Sequence, residues 1–170
     1  RKIGLDLALT LRPEPRERPV LVCLDADTIV TSDYLTAIRR HFQDPAHGAA
    51  VIPFEHPLPG DTGRRAAIVC YELFLRYYVL GLSWAGSPYA FYSIGSTMAF
   101  TPGRYVAVRG MSRRTAGEDF YFMNKLRKAG PIPSLTGTRV RPSERLSARV
   151  PFGTGKRMIR HLAGDRDEYL

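Results

Sequence analysis

Apolar residues recur at helical spacing at the start of the chain, at Ile3, Leu7, Ala8 and Leu11, and predict an opening helix. A charged, Pro-rich stretch from Arg12 to Pro19 reads as loop. The run from Pro19 to Leu24 is short, continuous and apolar, the pattern of a buried strand. It stops at Asp25, Ala26, Asp27 and Thr28. Ser32 or Asp33 is placed to cap a helix from Tyr34 to Phe42, which Asp44-Pro45 ends. Ala49 to Pro53 predicts the next strand, and residues 55–63, rich in Pro and Gly, a loop. A long helix is expected from Arg65 to Leu80, with Cys70, Leu73, Phe74, Tyr77 and Gly81 on its core face. Residues 81–92 mix aromatics with Gly, Ser and Pro and read as irregular. Ser96 to Thr101 predicts a strand, Gly103 to Val108 a short helix, and Gly110 to Gly117 a basic loop. Glu118-Asp119 heads a helix that reaches Arg127 and is closed by Gly130. Thr138 to Arg141 is strand-like, residues 142–157 are Arg-, Ser- and Gly-rich loop, and the tail from Met158 is helix-forming.

Strands that alternate with helices argue a layered α/β domain. The 170 residues fit one domain with a real core, residues 1–130 carrying the acidic motifs and 131–170 forming a basic, Gly/Arg-rich segment. At 44% hydrophobic and 24% charged residues, disorder is excluded. The formal charge of +9 favours an anionic partner: a nucleotide diphosphate, an anionic lipid surface or nucleic acid. Two cysteines, Cys23 and Cys70, sit in or beside apolar runs and read as free thiols, in keeping with a reducing, cytoplasmic setting. No apolar run looks long enough to span a membrane. The chain begins at Arg1 inside a helical pattern, so it reads as a piece of something longer.

Asp25 and Asp27 directly follow a buried strand, which puts two carboxylates at the edge of the sheet where open α/β proteins bind ligands. Two apart on an extended segment, both would address one site. Hard oxygen donors of this kind, completed by substrate phosphates, suit Mg²⁺ or Mn²⁺. The bland alternative is a strand end with a capping Asp. Two enzyme classes use such a pair: glycosyltransferases of the GT-A type, and haloacid-dehalogenase-like phosphatases, to which Thr28-Ile29 is an imperfect match.

The order of motifs beyond the first pair separates them. Downstream stand Gly95, Ser96 and the strand to Phe100, then Arg104, Val108 and Gly110, then Gly117-Glu118-Asp119-Phe120, with Phe122, Met123, Leu126 and Gly130 after them. This succession resembles the inverting glycosyltransferases of family 2, and the opening Arg1–Leu9 resembles the helix those enzymes place before the D-x-D strand. The resemblance covers most of residues 1–130. It implies a GT-A-like fold (the nucleotide-diphospho-sugar transferase fold, a layered sheet flanked by helices) lacking its first, nucleotide-binding strands. It implies Asp119 as general base, with Glu118 orienting it or touching the acceptor. It implies Asp27 as a ligand of Mg²⁺ or Mn²⁺ at the donor diphosphate, with Asp25 either supporting the metal or touching the donor sugar or ribose. The ordinary reading of Glu118-Asp119 is a pair of acids favoured by a helix dipole.

Other features attach to this frame. Lys156 and Arg157, in Gly153–Met158, are candidate donors to the diphosphate from a closing loop. The Q-x-x-R-W sequence of processive family members is absent, which removes support for polymer synthesis. Gly95, Ser96 and Trp84 are candidate acceptor contacts, the acceptor being a sugar, lipid or small molecule. The aromatic stretch from Tyr71 to Tyr92 on a basic chain also suits peripheral contact with the inner face of an anionic membrane. Nucleic acid is the less favoured partner: no recognition motif is present, and such a module has no use for Asp25, Asp27 and Asp119. None of His41, His47, His56 and His161 has metal-ligand spacing to another.

Overall fold

The computed structural model describes residues 1–10, 18–113, 117–148 and 153–165. Its elements, in chain order, are α1 (Lys2–Ala8), β1 (Leu21–Cys23), β2 (Ile29–Val30), α2 (Tyr34–His41), β3 (Ala49–Val51), α3 (Thr62–Trp84), β4 (Met98–Phe100), α4 (Pro102–Ala107), α5 (Glu118–Lys128), β5 (Val140–Arg141) and α6 (Thr154–Leu162). Helix and sheet are mixed, as the α/β pattern predicts. The loop expected over 12–19 lies largely outside the described residues. The chain gathers into two compact units, Arg1–Phe54 with Phe91–Val140, and Glu55–Ala90 with Arg141–Leu170.

In the first unit β4 is the middle strand of a three-stranded sheet ordered β1-β4-β3. Both neighbours run antiparallel to it, with Leu21↔Phe100 and Cys23↔Met98 on one side and Ala49↔Phe100 and Val51↔Met98 on the other. All three residues of β3 and of β4 are buried, which is why their sequences are apolar without alternation. A smaller ladder pairs β2 with β5, whose Val140 ends this unit.

The core of this unit joins Leu21 and Cys23 to Met98, Phe100, Tyr105 and Phe122. Phe122 meets Phe100 edge-on at 4.9 Å between ring centroids and Tyr105 at 5.6 Å, so α4 and α5 share one aromatic contact with β4. Helix α1 docks through buried Leu5 and through the Tyr105 hydroxyl, which donates to Asp6 Oδ1 at 2.7 Å. A cap set by Thr101, whose Oγ1 accepts from Arg104 N, and Pro102 at the first turn start α4 at the end of β4. The Arg104 guanidinium then fills the space beside Gly48 and Gly130, where a Cβ at either would collide with it. Burial pushes the Cys23 thiol up to about 11, so it is a packing residue rather than a reactive one.

In the second unit α3 packs against α6. Ala67, Ile68 and Tyr71 surround Met158, with Leu75 beside them. Asp61 caps α3, its carboxylate accepting from Arg64 N at 2.7 Å, and the helix starts three residues before the expected point and runs on to Trp84. Three expectations are corrected here. Leu73 and Tyr77, predicted on the core face, are 60% and 78% exposed. The helix is apolar on more than one face, so periodicity could not choose the face that α6 covers. Trp84 closes the helix instead of lying in an irregular loop, and is exposed. By length and composition α3 is also long and apolar enough to cross a membrane, against the sequence expectation, and only 17% of its apolar window is buried.

Helix α6 corrects the assignment of 142–157 as loop. It begins at Thr154, after Gly153 at φ 94°, so Lys156 and Arg157 stand in its first turns. Gly155 lets the chain at Arg145 and Ser147 lie directly against the helix, where a Cβ would meet backbone. His56 is buried in this unit, its Nδ1 2.9 Å from Glu72 Oε1 and its Nε2 3.4 Å from Thr154 Oγ1.

Candidate active site

The site is set by strand register. Two residues beyond the Cys23↔Met98 pair, past the end of the ladder, Asp25 meets Ser96. Ser96 is buried, and its Oγ donates to Asp25 Oδ2 at 2.9 Å while accepting from Asp25 N at 3.3 Å. Thr28 Oγ1 reaches the same Ser96 oxygen at 3.0 Å. The chain leaves β1 in a turn closed by Thr28 N donating to Asp25 O at 3.0 Å. The acidic pair is therefore not on an extended segment, as spacing suggested. Within the turn the Asp25 carboxylate lies half-buried against Ser96, and Asp27 is exposed.

The second pair arrives on α5. Gly117, at φ 70°, takes the left-handed conformation that turns the chain into the helix, and Glu118 and Asp119 occupy the first turn. Asp119 Oδ1 accepts from Phe120 N at 2.8 Å. Burial pushes the Asp119 carboxyl above its ordinary value; the Glu118 charge adds to this, and the Phe120 N–H and the Arg1 charge oppose it.

Arg1 joins the two pairs. Its Nη2 donates to Asp25 Oδ1 at 2.6 Å and its Nη1 to Glu118 Oε1 at 2.7 Å. One guanidinium thus spans carboxylates that come from opposite ends of the unit's sequence. It lies over Gly95, which is buried and has no side chain to obstruct it. Sequence reasoning did not find Arg1, since a lone basic residue at a helix start carries no signal of its partner.

Gly95 and Ser96 are beneath the acidic groups: one makes room for Arg1 and the other holds Asp25. Lys156, Arg157 and Trp84 belong to the second unit, where the Arg157 guanidinium sits over the Phe74 ring at 5.1 Å. Among the described residues no group of three or more His, Cys, Asp or Glu side chains gathers to hold a metal. The chemistry of the donor set, two carboxylates on one turn, fits an ion that takes its other ligands from phosphate and water, not one caged by protein.

A family model described as glycosyl transferase family group 2 matches residues 20–167, which span both acidic pairs, and the chain belongs to that family. It is a glycosyltransferase, so the phosphatase reading of Asp25 and Asp27 is set aside. No curated protein and no solved structure matches it significantly.

Proposed function

We propose that the chain carries the catalytic centre of an inverting transferase that moves a sugar from a nucleotide-diphosphate donor to an acceptor hydroxyl. The observation that carries this reading is Arg1, which links Asp25 of the first acidic pair to Glu118 of the second, beside Asp119. Asp119 is the general base. A carboxylate raised by burial is a stronger base than an exposed one. Asp119 takes the acceptor's hydroxyl proton as that oxygen bonds to the anomeric carbon. The bond from that carbon to the donor's diphosphate oxygen breaks, its electron pair leaving with the nucleotide diphosphate. A single displacement of this kind inverts the anomeric centre. Asp27 and Asp25 would hold Mg²⁺ or Mn²⁺ with the diphosphate, and the ion supplies positive charge for the leaving group. Glu118, tied to Arg1, orients the head of α5. A GT-A arrangement of the sheet and helices belongs to the same reading.

The test is calorimetric titration of UDP and GDP into the full chain with and without Mn²⁺, paired with turnover of Asp119→Asn. Metal-dependent binding lost in Asp27→Ala, and turnover lost in Asp119→Asn, are expected. Comparable turnover by Asp119→Asn and wild type would falsify the assignment of the base.

The same reading includes peripheral membrane contact. Val69, Leu73, Tyr77, Leu80 and Trp84 recur at helical spacing on α3 and are all exposed, a continuous apolar stripe on a chain of net charge +9. Such a stripe on a basic protein suits an anionic lipid surface. Two free cysteines support the cytoplasmic side, where thiols stay reduced.

A further inference from the structure

We propose that Arg1 is a positioning residue of the transfer reaction: its guanidinium locks the Asp25 and Glu118 carboxylates to one another across a seat kept open by Gly95. This rests on the reading that the two acidic pairs do the chemistry. Three features of the first unit carry it.

The contact is a two-pronged one. Separate nitrogens of one planar group reach two carboxylates at 2.6 and 2.7 Å, with the Arg1 side chain only 26% exposed. Lysine, a single compact charge on a flexible stem, lacks the fork needed to span both. The charge is needed where it stands, because Asp25, Glu118 and Asp119 all lie within its electrostatic reach. Without the Arg1 charge, repulsion between the acid at the end of β1 and those at the head of α5 is less offset.

Gly95 supplies the second argument. A Cβ built there falls on the guanidinium, and the residue's φ lies outside the left-handed region. Its backbone therefore accepts alanine, and the direct obstacle to a methyl group is Arg1. The third feature is Ser96, which fixes the other oxygen of Asp25. With Arg1 on Oδ1 and Ser96 on Oδ2, the carboxylate is held at both oxygens, and moving Arg1 removes one of these contacts. Groups of this kind act through the residues they hold, and their loss typically costs about 10–100-fold.

The experiment uses the full chain, with nucleotide release from UDP- and GDP-sugars as the readout of turnover and circular dichroism as the folding control. Arg1→Met, Arg1→Lys, Gly95→Ala and the Arg1→Met/Gly95→Ala double variant are compared with wild type. Arg1→Met is expected to lower kcat by about 10–100-fold with a smaller change in KM, because alignment is lost rather than binding area. Arg1→Lys recovers part of that loss. Gly95→Ala, which keeps the charge but unseats it, reproduces the loss, and the double variant is no worse than either single one. Where Arg1→Met fails to fold, Gly95→Ala and Arg1→Lys carry the comparison. Wild-type kcat in Arg1→Met, or losses in the two single variants that multiply in the double, overturns the proposal. Asp119→Asn, measured alongside, separates the two levels. Turnover that survives in Asp119→Asn defeats the transfer reading itself. Turnover lost there but intact in Arg1→Met defeats only the positioning role.

Discussion

Ser96 Oγ and Asp25 Oδ2 lie 2.9 Å apart at the point where β4 begins and β1 has just ended, so a buried serine orients the first acid of the site. Ser96→Ala removes that donor and leaves Arg1 as the holder of the opposite oxygen. The expected outcome is a loss of Mn²⁺-dependent nucleotide affinity of about tenfold or more, with a small change in stability of about 1 kcal/mol. Calorimetry and urea unfolding of the same preparation check both numbers. Unchanged nucleotide affinity would show that Asp25 does not need the serine.

The Asp119 carboxyl is raised by burial, which fixes the sign of a pH effect. A general base works only when ionised, so kcat/KM falls as pH drops through its raised value, above the ordinary 3.8. Asp119→Asn removes this limb along with about 10²–10⁴-fold of the rate. A pH–rate profile from wild type with no acid limb above the ordinary aspartate range goes against this role.

Glu72 is the ionisable group that ties pH to stability in the second unit. Burial works to raise its carboxyl, but hydrogen bonds from His56 and Arg76 outweigh this and bring it down to about 2 from 4.5. A depressed carboxylate stabilises the fold above its unfolded value, and the benefit drains away as pH falls from about 4.5 toward 2. Its full size is roughly 3 kcal/mol at most. Urea unfolding across this window is expected to show the loss in wild type and a flatter profile in Glu72→Gln. Parallel profiles would remove Glu72 from the account.

The stripe on α3 makes a prediction with two arms. Wild type is expected to co-sediment with phosphatidylglycerol vesicles at low salt and less with phosphatidylcholine ones. The Tyr77→Asp/Trp84→Asp variant should bind at least about tenfold more weakly, since each exposed aromatic contributes roughly 1.5–3 kcal/mol once buried in lipid. Equal binding by the variant would assign the stripe to something other than a membrane.

Much of the fold was legible because apolar runs and acid-headed helices report local structure directly. The β1 and β4 strands, α2, α4 and α5 all fall where periodicity puts them, although Asp33, expected as a cap of α2, makes no side-chain cap bond and accepts from Thr31 Oγ1 instead. The misses share a cause: they depend on what packs against an element. The α3 face covered by Met158 of α6 is not encoded in α3 alone, because Leu73 and Tyr77 are as apolar as Ile68 and Tyr71. The glycines at 153 and 155 suggested a flexible loop, whereas Gly153 starts a helix and Gly155 permits a close approach. At the site, Asp25, Asp27, Glu118 and Asp119 announced themselves by order and residue type. Arg1 and the turn at Thr28 did not, since a guanidinium's partners and a turn's closure are tertiary facts.

The antiparallel pairing of β1 with β4 has a consequence for how errors in this protein must look. Side chains alternate faces along a strand, so a slip of one residue would turn Leu21 and Cys23 out of the core and carry Asp25 away from Ser96 in the same movement. Core packing and the Asp25–Ser96 contact are set by a single alignment. A misfolded form with a sound core and a lost Asp25–Ser96 contact is therefore hard to reach along this strand, so the two fail and recover together.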